Sequence, residues 1–249
     1  MQLIPVLDVR DGIVVRGVAG ERSRYQPVTS RLTTSARPLE VARSLRDTFG
    51  TRMLYVADLD GLEHSQPDRD LHRTLSADGF ELLLDCGVRG PDDAVVALES
   101  GAKNIVIPLE TWTSADALGS LVARAGADRV VFSLDLKAGR PLSGAGDWDG
   151  MTAEAIARDV VAAGLRSLIV LDLAGVGVDG GVPTLPLCRT IRSEFPDVQV
   201  ITGGGVRGRG DLQALAAAGV DGVLVASALH NGRVTPEDVA AVQAQSSAE

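Results

Sequence analysis

The sequence predicts an α/β fold, a (β/α)8 TIM barrel built from two similar half-barrels, and three observations carry that reading. Eight short apolar runs alternate with eight amphipathic stretches along the 249 residues. The word DCGVRGPDD, beginning at Asp85, returns as GGGVRGRGD, beginning at Gly203, at an offset of 118 residues that continues without a gap. Asp93 then meets Asp211, Gly101 meets Gly219, and Ile105, Val106 and Ile107 meet Val223, Leu224 and Val225. Two more pairs keep the same order. Asp8 follows LIPVL and Asp135 follows VVFSL, each with a basic residue two positions on (Arg10, Lys137) and a glycine four positions on (Gly12, Gly139). Asp58 follows MLYVA and Asp172 follows LIVL.

In order, the strands are expected at 2–7, 52–57, 81–84, 104–107, 129–134, 167–171, 198–201 and 222–225. The helices are expected near 36–48, 68–77, 91–100, 114–125, 152–163, 184–194, 209–218 and 236–245. Continuous apolar strands covered by helices imply a parallel sheet buried on both faces, and eight such units close into a barrel. An open doubly wound sheet is the competing fold, and the half-chain repeat favours closure. Each copy of the repeated word reads as a glycine turn, an alanine-rich helix, a helix-ending glycine and a buried strand. Residues 1–245 form one domain, with the half-barrel boundary near 126 and a frayed tail at 246–249. A small hairpin of 2–7 and 12–17 leads into a long loop, GERSRYQPVTSRLTTSARP, placed where barrel loops carry chemistry.

Composition narrows the function. A formal charge of -9 opposes binding to nucleic acid or an anionic membrane surface, and no apolar run approaches membrane-spanning length. Asp8 and Arg10 interrupt the first apolar run before a signal-peptide core forms. Cys86 and Cys188 have neither zinc-like spacing nor a disulfide framework, which fits a reducing cytoplasm. No metal or cofactor is expected, and no oligomeric state is read from the sequence.

In such a barrel Asp8, Asp58, Asp85, Asp135 and Asp172 are expected to point toward one mouth. The turns after strands seven and eight are the usual phosphate site, so Gly204, Gly205 and the amides around Ala226 and Ser227 are expected to cradle a phosphate. The first copy is poorer: Asp85 and Cys86 replace Gly203 and Gly204, Pro108 replaces an amide donor opposite Ala226, and Gly87 is what remains. Asp8 and Asp135 lie on opposite sides of the ring and suit proton transfer on the two sides of a ligand; the alternative is that they order loops by accepting N–H bonds. Arg16, Arg22 and Arg24 meet an anion or face solvent. His64, in the loop after strand two, is a candidate to touch substrate, His72 is placed on a helix surface, and Tyr25, Trp112 and Trp148 are candidates to stack on a ring, with covering a helix end the alternative for Trp112.

The words IPVLDVRDGIVVR, YVADLDG, CGVRGPDDA, VVFSLDLKAG, GGGVRGRGDL and GVLVASALHNG, spread from Leu3 to about Val234, together resemble the phosphoribosylformimino-aminoimidazole carboxamide ribotide isomerase of histidine biosynthesis and its cyclase relative. The resemblance implies an Amadori-type aldose-to-ketose rearrangement of a small molecule with a phosphate at each end. It implies Asp8 as the base at the ribose C2 position, Asp135 as a second functional carboxylate, and Asp179 as the aspartate of the loop after strand six. The chain departs from that pattern at Leu171, where the family has a threonine, at Asp85 and Cys86 within a triple-glycine word, and at Pro108 and Leu109 in place of Gly-Thr. The GERSRYQP loop looks more like an isomerase-like branch associated with methanopterin- or methanofuran-linked one-carbon metabolism. Two classes of function follow: an isomerase or related lyase or synthase acting on a phosphorylated metabolite, or a noncatalytic barrel that binds one.

Overall fold

Alternation along each strand divides the apolar residues between two cores. In the computed structural model, which describes residues 1–112, 114–144, 146–178 and 180–246, the barrel strands are β1 (Gln2–Arg10), β2 (Met53–Asp58), β3 (Glu81–Asp85), β4 (Ala102–Pro108), β5 (Val130–Lys137), β6 (Ser167–Asp172), β7 (Gln199–Gly203) and β8 (Gly222–Val225). Each pairs in parallel with the next, and β8 returns to β1, with Gln2 opposite Gly222 and Pro5 opposite Val225. Ile4, Tyr55, Leu83, Val106, Val131, Ile169, Ile201 and Leu224 fill the barrel. Their sequence neighbours, Leu3, Leu54, Leu82, Ile105, Val130, Leu168, Val200 and Val223, face outward onto the helices. Period two sends adjacent residues to opposite faces, so a parallel strand buried on both sides must be apolar throughout.

The outer ring is α1 (Pro38–Phe49), α2 (Arg69–Ala77), α3 (Pro91–Glu99), α4 (Ala115–Ala125), α5 (Ala153–Ala162), α6 (Leu185–Glu194), α7 (Arg209–Ala217) and α8 (Pro236–Ser246). Side-chain caps start several of them: Asp68 accepts from Leu71 N at 3.0 Å, Ser114 from Ala117 N at 3.4 Å and Thr152 from Ala155 N at 3.3 Å. Val41, Leu45, Leu118, Leu121, Ile156 and Val160 are the inward stripes of three of these helices, all fully buried. Each such side chain contributes about 1.5–3 kcal/mol. The repeated word keeps its geometry. Asp93 Oδ2 accepts from Arg89 N at 3.0 Å ahead of α3, and Asp211 Oδ2 accepts from Arg207 N at 2.8 Å ahead of α7.

Several expectations are corrected. β1 and β5 run three residues beyond the expected ends at 7 and 134, because hairpin partners extend their pairing. Ile13–Arg16 lies antiparallel to β1, with Val15 opposite Asp8, and Arg140–Pro141 lies against the end of β5. The long loop after the first hairpin is partly ordered by a 3-10 turn at Arg22–Arg24 and a strand at Gln26–Pro27. It is tied to the turn after β8, where Arg31 N donates to His230 O at 2.9 Å and His230 Nδ1 meets Ser30 Oγ at 2.9 Å. His72 is fully buried rather than on a surface, because its Nε2 meets Asp58 Oδ2 at 2.9 Å and its Nδ1 meets Ser100 Oγ at 3.3 Å. Trp148 is likewise in the core, edge-on to Phe132 with centroids 5.5 Å apart, and Trp112 is buried. Ser246 closes α8, while 247–249 lie outside the described residues. Among the described residues no helix is long and apolar enough to cross a membrane.

Candidate active site

The register of the strands decides which aspartates reach the barrel mouth. Asp8 lies opposite Ala57, and Ala57 lies opposite Asp85, so the three share one layer above Tyr55. Asp135 stands two residues beyond Ser133 on the same face of β5. Asp8, Asp85 and Asp135 line a cavity of about 450 Å³, together with Arg22, Tyr25, Tyr55, Glu110, Lys137 and Leu171. Asp58 and Asp172 have the opposite parity and leave the mouth, which corrects the expectation that all five face it. Asp58 accepts from Gly61 N at 3.0 Å and Asp68 N at 2.7 Å, and Asp172 accepts from Ala138 N at 3.0 Å and Gly139 N at 2.7 Å. These two brace loops.

Burial sets the charge state of the three mouth carboxylates, because removing water disfavours the ionised form. It lifts Asp8 to about 6 against the opposing pull of the Gly17 amide and of Arg22. It lifts Asp85 to about 7 despite the hydrogen bond from Tyr55 Oη to Oδ2 at 3.1 Å, and Glu110 adds to the rise. Asp135 is pushed well above the usual carboxylate range by burial, although Ser133 Oγ donates to its Oδ1 at 2.7 Å. Two carboxylates in one cavity whose surroundings hold them at different levels suit acid and base roles on the two sides of a ligand.

From the turns after β7 and β8, Gly204, Gly205, Ala226 and Ser227 line the same cavity. Gly204 and Gly205 have φ of +80° and +81°, which side-chain-bearing residues rarely adopt. A Cβ on Gly205 would lie 2.2 Å from Gly181 O. The short helix Ser227–His230 begins at the turn after β8, and the first amides of a helix have no intrahelical acceptor.

Other expected site residues fall elsewhere. Gly87 borders a smaller pocket with Arg69 and Arg89 rather than the mouth. Arg16 is on the outside, donating to Gly177 O at 3.4 Å. His64 is exposed and does not line the cavity. Asp179 lies outside the described residues. The sequence places Asp85 at the mouth but gives it no role beyond weakening a phosphate word, and it does not single out Tyr55 or Glu110. Strand parity, which puts Tyr55 opposite Leu83 and two residues before the Ala57–Asp85 layer, is the signal that finds Tyr55. Glu110 and Arg22 required the folded loops: Arg22 reaches Glu110 Oε1 at 3.3 Å and Glu63 Oε1 at 3.4 Å, linking the turns after β1, β2 and β4.

Residues 2–235 match the family model described as histidine biosynthesis protein. An uncharacterized protein of Methanocaldococcus jannaschii is 30% identical over 244 residues, covering 96% of this chain and 97% of its own length. The 1-(5-phosphoribosyl)-5-((5-phosphoribosylamino)methylideneamino) imidazole-4-carboxamide isomerase of Vibrio cholerae is 29% identical over 245 residues, covering 95% of this chain and 96% of its own. That of Bacteroides fragilis is 29% identical over 245 residues, covering 97% and 99%. The family match takes in all eight barrel strands, the three mouth carboxylates and the glycine turn after β7, and the chain belongs to the histidine biosynthesis protein family.

Proposed function

We propose that the chain is an isomerase-type enzyme that converts a phosphorylated aminoaldose to the corresponding aminoketose. Gly204, Gly205, Ala226 and Ser227 hold a phosphate, Asp8 is the base and Asp135 the acid. The observation that carries the reading is the pairing, in one cavity, of Asp8 at about 6 with Asp135 pushed well above the usual carboxylate range by burial, and with a two-glycine turn lining the same cavity. The names of the Vibrio cholerae and Bacteroides fragilis relatives supply the reaction class.

The proton inventory closes on these two side chains. Asp135 gives its proton to the ring oxygen as the C1–O bond breaks and the C1=N iminium forms. Asp8 removes the C2 proton, and the electron pair left behind forms C1=C2 while the C=N pair returns to nitrogen. Asp8 then returns that proton to C1 as the C2 hydroxyl gives its proton to Asp135 and becomes the ketone. General acid–base steps of this kind contribute about 10²–10⁴-fold each.

A second reading, a divergent lyase or synthase of methanopterin- or methanofuran-linked metabolism, is favoured by the turns of the first half. There Leu109 N already donates to Ser133 O at 2.9 Å, and Pro108 has no N–H. Turnover of the histidine-pathway aminoaldose bisphosphate, by wild type and by Asp8→Asn, separates the two. Turnover that depends on Asp8 supports the isomerase on that substrate. A wild type that binds phosphate at the Gly204 turn without turning it over directs the search to another phosphorylated substrate.

A further inference from the structure

We propose that Asp85 is a subsite for a protonated amine, so that the molecule accepted by this barrel carries a phosphate at one end and a cationic nitrogen at the other. The inference rests on the phosphate cradle proposed at Gly204 and Gly205 and adds the chemistry of the opposite end.

Asp85 is 6% exposed and lines the cavity, and its Oδ1 has no hydrogen-bond partner among the described residues. Its Oδ2 is fixed by Tyr55 Oη at 3.1 Å, so the unpartnered oxygen has a set direction. Each of the other acids at the mouth has a partner within the protein, Asp135 in Ser133 and Glu110 in Arg22, and Asp8 meets the Gly17 amide as Asp85 meets that of Gly87; Asp85 Oδ1 alone among the buried acid oxygens of the described residues is left unbonded. A buried polar atom left without a partner costs about 1–3 kcal/mol, more when charged. The matching position of the second half, Gly203, avoids that cost altogether, so nothing in the barrel frame requires a carboxylate here. A ligand that donates to Oδ1 and brings a positive charge offsets the cost.

An anion does not fit the same place. Asp85 repels it, Pro108 offers no N–H, and the Leu109 amide is already bonded to Ser133 O. A shared metal ion is not favoured either, since among the described residues no three of the His, Cys, Asp and Glu side chains group closely enough to hold one. An ammonium needs only one well-placed carboxylate and neighbouring acceptors; Glu110 and Asp135 are near enough to act on this end, and the nearby cation, Arg22, is paired with Glu63 and Glu110.

Calorimetric titration at about pH 8, where both charges are present, tests this with inorganic phosphate and with a series of aminoalkyl phosphates of increasing length. Each aminoalkyl phosphate is compared with the alkyl phosphate lacking the amine. The expected result is an affinity gain of roughly tenfold for the amine at the length that spans the cavity, as a charge-assisted hydrogen bond supplies. Asp85→Asn and Asp85→Gly should each abolish the gain while leaving inorganic phosphate binding unchanged; either folded variant suffices. Phosphate binding without an amine preference at any length, or a preference that survives in a folded Asp85 variant, overturns the assignment of Asp85 alone. A wild type that fails to bind inorganic phosphate overturns the cradle, and the amine subsite with it.

Discussion

Turn for turn, the two copies of the repeated word make the same backbone frame and end in opposite chemistry. Asp93 and Asp211 cap the approach to α3 and α7 through the amides of Arg89 and Arg207 at 3.0 and 2.8 Å, and Gly87 and Gly205 share a left-handed φ of +76° and +81°. Gly204 is also left-handed, whereas Cys86, its counterpart, is not among the residues with positive φ. One residue earlier, Gly203 packs its bare Cα against Leu224, and Asp85 carries a carboxylate into the cavity. On the proposed reading a turn becomes an anion cradle or a cation acceptor through two side chains, with the strand–turn–helix frame retained.

The largest expected break falls outside both turns and leaves the contrast standing. Asp8→Asn is expected to lower turnover by about 10²–10⁴-fold while phosphate affinity persists, and the acid limb of the wild-type pH–rate profile is expected near 6. Steady-state kinetics and calorimetry check both.

The glycines test the halves against each other. A Cβ on Gly205 meets Gly181 O at 2.2 Å, and one on Gly87 meets Gly61 O at 2.7 Å. Both alanine variants should lose about 2 kcal/mol in denaturant unfolding, from the clash and the left-handed backbone. Only Gly205→Ala should also weaken inorganic phosphate binding, by about 100-fold. Equal losses of affinity would erase the distinction between the turns.

Stability against pH sharpens it from the other side. Burial raises Asp85 from 3.8 to about 7, so the folded state holds its proton more tightly than the unfolded state does. The stability from this group is full below about pH 4 and is lost as pH rises through about 7. Asp85→Asn removes that loss and should be more favourable at about pH 8 than at about pH 4 by on the order of 2 kcal/mol, read from unfolding curves at the two pH values.

The smallest effects concern the paired arginines. Arg89 donates to Gly87 O and Leu62 O at 3.1 and 3.0 Å, whereas Arg207 forms an exposed pair with Asp211. Arg89→Ala should cost about 1 kcal/mol, and Arg207→Ala should leave the thermal midpoint unchanged within error.

The barrel was legible in the sequence because its strands are apolar on both faces and its turns are spelled with glycine. Strand starts came within two residues, and the ends of β1 and β5 were missed because short hairpin partners outside the repeat extend them. Of the candidate site, Asp8, Asp135, Gly204, Gly205, Ala226 and Ser227 were placed at the ends of strands and do line one cavity. Asp58 and Asp172 resisted because they sit one residue off the parity of Asp8 and Asp135, a difference that alternation encodes but a search for similar words overlooks. The burial of His72 had no local signal. Its partners, Asp58 and Ser100, are 14 and 28 residues away, and only packing of α2 between them turns a polar helix residue inward.

The closing pair of the barrel, Gln2 to Pro5 against Gly222 to Val225, has a consequence for synthesis. Residues 2–5 of β1 lack their β8 partner until nearly all of the barrel has been translated, so ring closure waits for the last unit, and contacts of such long sequence separation form slowly. The same delay governs the loop that carries Arg22 and Tyr25. Its anchors, Arg31 to His230 O and Ser30 to the His230 ring, exist only once residue 230 is in place. A nascent chain thus emerges with Asp8 and Asp135 before the frame that joins them, and closure of the cavity they line is expected late in folding.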